Sequence, residues 1–249
     1  MKGIGYGVAA LAALALLSGS AWAEGVTVSV SAGEKIFKNG KGDAVPACMS
    51  CHGDTAMGND SMGTPRLANQ GYTYLVKELD DFASNKRTDM TLGVMNGIAK
   101  GLTEQDKRNL AYYLHSLNVK PELSNFDDVK ASGKAVGVPY KGQIIADYGM
   151  ESKGVSACQT CHQYNGRGAA PVYPMIGQQK YVYLVNQLTH WRDGSRANDP
   201  MGQMRAIAKN LSDEDIQNVA TYLATAPKST EGDTYKYTNS PEEGIKVTP

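Results

Sequence analysis

The chain has 249 residues, with 25 basic and 25 acidic side chains, so it is formally neutral. That balance gives no basic face of the kind nucleic-acid binding calls for, and the length suits two small domains. Only four cysteines and four histidines are present, and their placement carries most of the chemistry.

The first feature in chain order is a leader. Lys2 supplies a positive start, Val8 to Leu17 are continuously apolar, and Ala21-Trp22-Ala23 is a small-x-small cleavage site. The pattern predicts a secretory signal peptide over residues 1–23, with an apolar run too short for a membrane span. Cleavage removes Lys2 and leaves a slight negative excess. The expected compartment is a bacterial periplasm. Association with a membrane is compatible with this, although no transmembrane helix remains after cleavage.

Residues 24–122 form the first predicted domain. A short helix near 32–38 leads into Cys48-Met49-Ser50-Cys51-His52. Cys-x-x-Cys-His attaches a c-type haem: Cys48 and Cys51 form thioethers to the porphyrin, and His52 becomes an axial iron ligand. A second helix is predicted near 72–84, where Leu75, Leu79 and Phe82 recur at helical spacing. A third starts at the capping box Thr103-x-x-Asp106 and carries Leu110, Tyr113, Leu114 and Leu117 on one face. Residues 123–139, between Pro121 and Pro139 and holding Gly133 and Gly137, read as a linker.

Residues 140–226 repeat the first domain. Cys158-Gln159-Thr160-Cys161-His162 follows the first motif at 110 residues, which gives Cys158, Cys161 and His162 the same roles around a second covalent haem c. Pro65, Tyr72, Ile98 and Leu102 recur at a spacing of 109 as Pro174, Tyr181, Ile207 and Leu211. Helices are predicted near 142–148, near 181–191 with Leu184, Leu188 and Trp191 at helical spacing, and from the capping box Ser212-x-x-Asp215. The last carries Ile216, Val219, Tyr222 and Leu223. Little in either copy demands a sheet, so the predicted class is all-α. Residues 227–249 read as a loosely ordered polar tail.

The repeat also tests the second axial ligand. Of ten methionines, only Met95 and Met204 fall on each other at 109 residues, in the predicted loop before the third helix. A thioether is a soft partner for iron, and Met/His coordination raises the reduction potential and closes the iron to other ligands. The competing reading is core filling, and Met201 is the rival in the second copy. Pro65 and Pro174 either make a turn or mark a carbonyl that accepts the ring N–H of the ligating histidine. Arg87 and Arg196 also coincide, as haem-propionate partners or as solvated surface residues. His115 and His190 have no counterparts and read as surface or packed residues. A four-thiolate zinc site would leave both motif histidines unexplained.

Two Cys-x-x-Cys-His domains in tandem, Pro-x-Leu-Ala-x-Gln at 65–70, Tyr-Leu-Val-x-x-Leu, Lys-Arg-Thr-Asp at 86–89 and a Met shortly before Leu-(Ser/Thr)-x-x-Asp resemble the diheme cytochrome c4 family. The resemblance implies two class I cytochrome c folds with Met95 and Met204 as axial methionines. It also implies a non-enzymatic carrier of single electrons between redox proteins, such as a bc1-type complex or a terminal oxidase. The alternative role is a cytochrome subunit of a dehydrogenase that oxidises a sulfur compound or an alcohol. A haem enzyme would need an open iron, whereas an aligned methionine serves each. The linker looks longer than the family's short connection, so the family's usual close haem–haem packing does not carry over from the resemblance.

Overall fold

The computed structural model describes residues 26–90, 93–227 and 245–248; the predicted signal peptide lies outside the described residues. The first domain contains β1 (Val26–Ser29), α1 (Val30–Asn39), α2 (Met49–His52), α3 (Tyr72–Ala83), α4 (Val94–Lys100) and α5 (Glu104–Ser116). After α6 (Phe126–Ala131), the second domain repeats the order with α7 (Pro139–Tyr148), α8 (Gln159–His162), α9 (Tyr181–Asp193), α10 (Gln203–Ala208) and α11 (Asp213–Thr225). β2 (Ile245–Thr248) follows.

The helix starts follow local chemistry. The Ser29 hydroxyl accepts the Ala32 N–H at the head of α1. Both predicted capping boxes form: Thr103 and Asp106 at α5, and Ser212 and Asp215 at α11, each satisfy two amides that the helix leaves orphaned.

Each domain closes where its first long helix crosses its last. At the crossing Gly33 of α1 meets the backbone of Asn109, and Gly142 of α7 meets that of Asn218. A Cβ on Gly33 would lie 2.2 Å from the Asn109 carbonyl oxygen, and one on Gly142 only 1.9 Å from that of Asn218. Around the first crossing Phe37, Leu110, Ala111 and Leu114 are buried, with the Phe37 ring 5.7 Å from that of Tyr113. Ile145, Ala146, Val219 and Leu223 are buried around the second.

Several features differ from the sequence expectation. A two-stranded parallel sheet pairs β1 with β2, with Val26 opposite Ile245 and Ser29 opposite Thr248. Val28 is fully buried beneath it. The alternating β-branched residues of both segments carry a strand signal, but their pairing joins opposite ends of the chain. The remainder of the predicted tail, 228–244 and 249, lies outside the described residues. Within the predicted linker, α6 packs on the second domain: Val129 is buried, and Phe126 stands edge-on to Tyr181 at 5.6 Å.

The longer connection does not hold the halves apart. Gln70 binds the backbone of Met175 through both amide atoms, donating to its carbonyl and accepting its N–H at 2.8 Å each. Gln179 does the same to Arg66, accepting its N–H at 2.6 Å and donating to its carbonyl at 3.0 Å. Gln70 and Gln179, like Arg66 and Met175, are 109 residues apart, so the docking is a pseudo-twofold exchange.

Because the helix crossing leaves no room for a methyl group, Gly142→Ala should destabilise the second domain by about 1–3 kcal/mol. Urea unfolding of the haem-loaded protein would measure it; an unchanged midpoint would show that the crossing has slack.

Candidate haem sites and the domain junction

Both Cys-x-x-Cys-His motifs form a single short helical turn, α2 and α8, that buries its histidine. His52 Nδ1 donates to the Pro65 carbonyl at 3.1 Å, and His162 Nδ1 donates to the Pro174 carbonyl at 2.8 Å. A carbonyl can only accept, so the proton sits on Nδ1 and the Nε2 lone pair is free. Burial pushes both imidazoles below their ordinary pKa, against the opposing pull of the proline carbonyls. Burial likewise pushes the Cys48 and Cys158 thiols up to about 11. Cys48, Cys51, Cys158 and Cys161 are free of disulfides.

Met95 and Met204 do not lie in loops, as the sequence suggested, but in the short helices α4 and α10, where both are half-buried. Seven and six residues are too few for a helical period to register in sequence. Side chains fasten both segments. The Asp89 carboxylate accepts the Met95 N–H at 3.2 Å, and Asn96 Nδ2 donates to the Phe82 and Arg87 carbonyls at 2.8 Å each. In the second copy Asp199 accepts from the Arg205 backbone at 3.0 Å and from its Nε at 2.8 Å. Met201, the rival in this copy, is 91% exposed.

Arg87 and Arg196 are not surface residues. Both are buried where the domains meet, Arg87 against the Phe82 ring at 4.5 Å and Arg196 against the Trp191 ring at 4.2 Å. Arg87 donates to Glu78 at 2.5 Å within its own domain, and to Tyr183 at 3.1 Å and Gln187 at 2.9 Å across the junction. Arg196 donates to Gln187 at 2.7 Å within its domain, and to Tyr74 at 3.2 Å and Glu78 at 3.0 Å across it. Asn198 adds bonds to Glu78 and Asp81, and Lys77 pairs with both acids. His115 and His190 are half-buried; His115 Nδ1 donates to the Gln70 carbonyl at 2.9 Å.

The cytochrome c family matches residues 30–118 and 148–227, one match around each haem motif. The chain belongs to the cytochrome c family, as a two-haem protein of the c4 kind. The cytochrome is 34% identical to a thiosulfate dehydrogenase electron acceptor of Stutzerimonas stutzeri, over 93% of this chain and all of that one. It is also 34% identical to cytochrome c4 of Pseudomonas aeruginosa, over 71% of this chain and 82% of that one. Among solved structures, the thiosulfate dehydrogenase TsdBA of Marichromatium purpuratum superimposes with a TM-score of 0.72 at 27% identity. That match covers 80% of this cytochrome but only 40% of the other chain. Reduced cytochrome c4 of Pseudomonas stutzeri gives 0.62 at 26% identity, over 79% of this chain and 97% of that one.

The cytochrome carries two covalent haem c groups, on Cys48/Cys51 and Cys158/Cys161, and its residues fit them. None of the four thiols is in a disulfide, and neither motif histidine makes a hydrogen bond through Nε2 among the described residues. No grouping of three or more His, Cys, Asp or Glu side chains suited to a lone metal ion occurs among the described residues. Haem c supplies one-electron cycling between ferric and ferrous iron; the polypeptide fixes, orients and shields it.

At the junction, burial alone would raise the Glu78 carboxyl, but Arg196, Arg87 and Lys77 outweigh it and bring it down to about 2. A depressed carboxylate stabilises the fold above its ordinary value of 4.5, and that contribution fades as the pH falls toward about 2. Small-angle scattering during acid titration should therefore show the domains loosening from each other within that window. Domains that stay docked well below it would show that the charged form of Glu78 does not hold them.

Proposed function

We propose that this two-haem electron carrier accepts electrons from a dehydrogenase that oxidises thiosulfate or a related sulfur compound. It then passes them to a respiratory acceptor, such as a terminal oxidase. The observation that carries this reading is the structural likeness: TsdBA superimposes with a TM-score of 0.72, against 0.62 for reduced cytochrome c4 of P. stutzeri. The thiosulfate dehydrogenase electron acceptors of S. stutzeri and Thiomonas intermedia, each 34% identical, over 93% and 74% of the chain respectively, point the same way. The exchange would take place in the periplasm, in keeping with the predicted leader. General carriage between a bc1-type complex and an oxidase is the second reading, supported by the likeness to the cytochromes c4 themselves.

For such a role both irons should be closed, and we assign His52 with Met95 and His162 with Met204 as the axial pairs. The free Nε2 of each buried histidine, the equivalent placement of the two methionines and the exposure of Met201 support this. Closed irons cycle without binding small ligands, and the thioether raises the potential.

Two measurements check these assignments. Mixed with a catalytic amount of thiosulfate dehydrogenase, the oxidised cytochrome should be reduced at both haems in stopped-flow only when thiosulfate is added. No reduction by an enzyme that still reduces ferricyanide would remove thiosulfate dehydrogenase as the donor. Separately, the reduced wild type should show no spectral shift under carbon monoxide, while Met95→Ala and Met204→Ala should each open one haem to it. Carbon monoxide binding by the wild type would refute the axial methionine concerned.

A further inference from the structure

Adding 109 to a residue number in the first domain gives its pseudo-twofold mate in the second. At the junction this pairs Tyr74 with Tyr183, Phe82 with Trp191 and Arg87 with Arg196. Both arginines stack on the paired rings and bond to the paired tyrosines. The geometry is symmetric, but the charge is not. Glu78 pairs with Gln187, and the arginines use these two side chains in the same way: each guanidinium donates to both. The neighbouring pairs Asp81/His190 and Asp89/Asn198 also place the acid in the first domain, whereas Lys77/Asn186 adds a cation there and Met90/Asp199 an acid in the second, so only the Glu78/Gln187 exchange isolates a single charge shared by both arginines.

We propose that the Glu78/Gln187 pair sets part of the difference in reduction potential between the two haems, through one buried anion held on one side of a symmetric junction. A fixed negative charge favours ferric over ferrous iron, and more so for the nearer iron. Glu78 is 6% exposed, so salt screens it little. The paired arginines act equally on both haems, and their contributions to the difference cancel. An anion at 78 alone does not cancel, because a site off the pseudo-axis lies at unequal distances from the two irons. The same anion at 187 would contribute with the opposite sign. Glu78 keeps its charge at any pH where the carrier works, because two guanidiniums and Lys77 surround it. The inference rests on the two covalent haems and not on which dehydrogenase is the donor.

The test is a spectroelectrochemical titration of the holoprotein and three variants, read as the gap between the two potentials. Glu78→Gln removes the anion, Gln187→Glu supplies its mirror image, and the double exchange moves it to the other side. The two single variants should shift the gap in the same direction by similar amounts, and the exchange by about twice as much. Sedimentation velocity would report whether the domains stay docked. Gln187→Glu retains Glu78 and adds a counter-charge to the arginine pair, so it tests the idea even if Glu78→Gln loosens the junction. A gap unchanged by Gln187→Glu would overturn the proposal. So would an exchange that shifts the gap no further than Glu78→Gln, because the effect would then follow from losing Glu78 rather than from the side that carries the charge.

Discussion

Two helices can touch backbone to backbone only where one of them has no side chain, and this cytochrome uses that contact once per domain, at Gly33 and at Gly142. The rest of each haem site hangs from it. The crossing fixes α5 and α11, whose C-terminal carbonyls then hold the loop opposite. Leu114 accepts the Asn69 N–H at 2.8 Å, and Leu223 accepts that of Gln178 at 2.7 Å. Those loops contain Pro65 and Pro174, whose carbonyls fix the motif histidines. A glycine fifteen or sixteen residues before each motif thus helps to orient the imidazole through a continuous set of backbone contacts.

Docking of the domains reuses the same loops. Gln70 and Gln179, next to the residues held by α5 and α11, each clasp the backbone of the other domain's proline loop. The segments that orient the histidines are therefore the segments that join the domains, which couples the haem pockets mechanically. The arginine junction adds an electrostatic layer. Two buried guanidiniums facing one another are tolerable only with a carboxylate between them, and Glu78 bonds to both.

Much of this was legible in the sequence because the chain contains its own control. The haem motifs, the three long helices of each domain and both capping boxes recur at nearly constant spacing, and what recurs by structural necessity stands out. The comparison also singled out Met95 and Met204, although the helices that carry them are too short to show a period. Arg87 and Arg196 recurred as well, but an aligned arginine looks the same in sequence whether it faces solvent or a neighbouring domain. Their burial depends on how two folded units dock, as does the paired use of Gln70 and Gln179. The β1–β2 pairing was hidden for a similar reason: Val-Thr-Val-Ser and Ile-Lys-Val-Thr are plausible strands, but four residues acquire a partner only through a contact spanning 219 positions.

That pairing brings residue 248 back beside residue 29, on the face of α5 where Gln105 and Asn109 hold the first strand. In covalent order the second domain comes last, yet the far end of the chain is moored on the first. Among the described residues the two domains are therefore tied by the connection through α6, and β2, which follows the second domain in sequence, pairs on the first. An affinity tag or fused protein joined directly after β2 would therefore start beside β1 on the first domain, not on the second domain that precedes it in the chain.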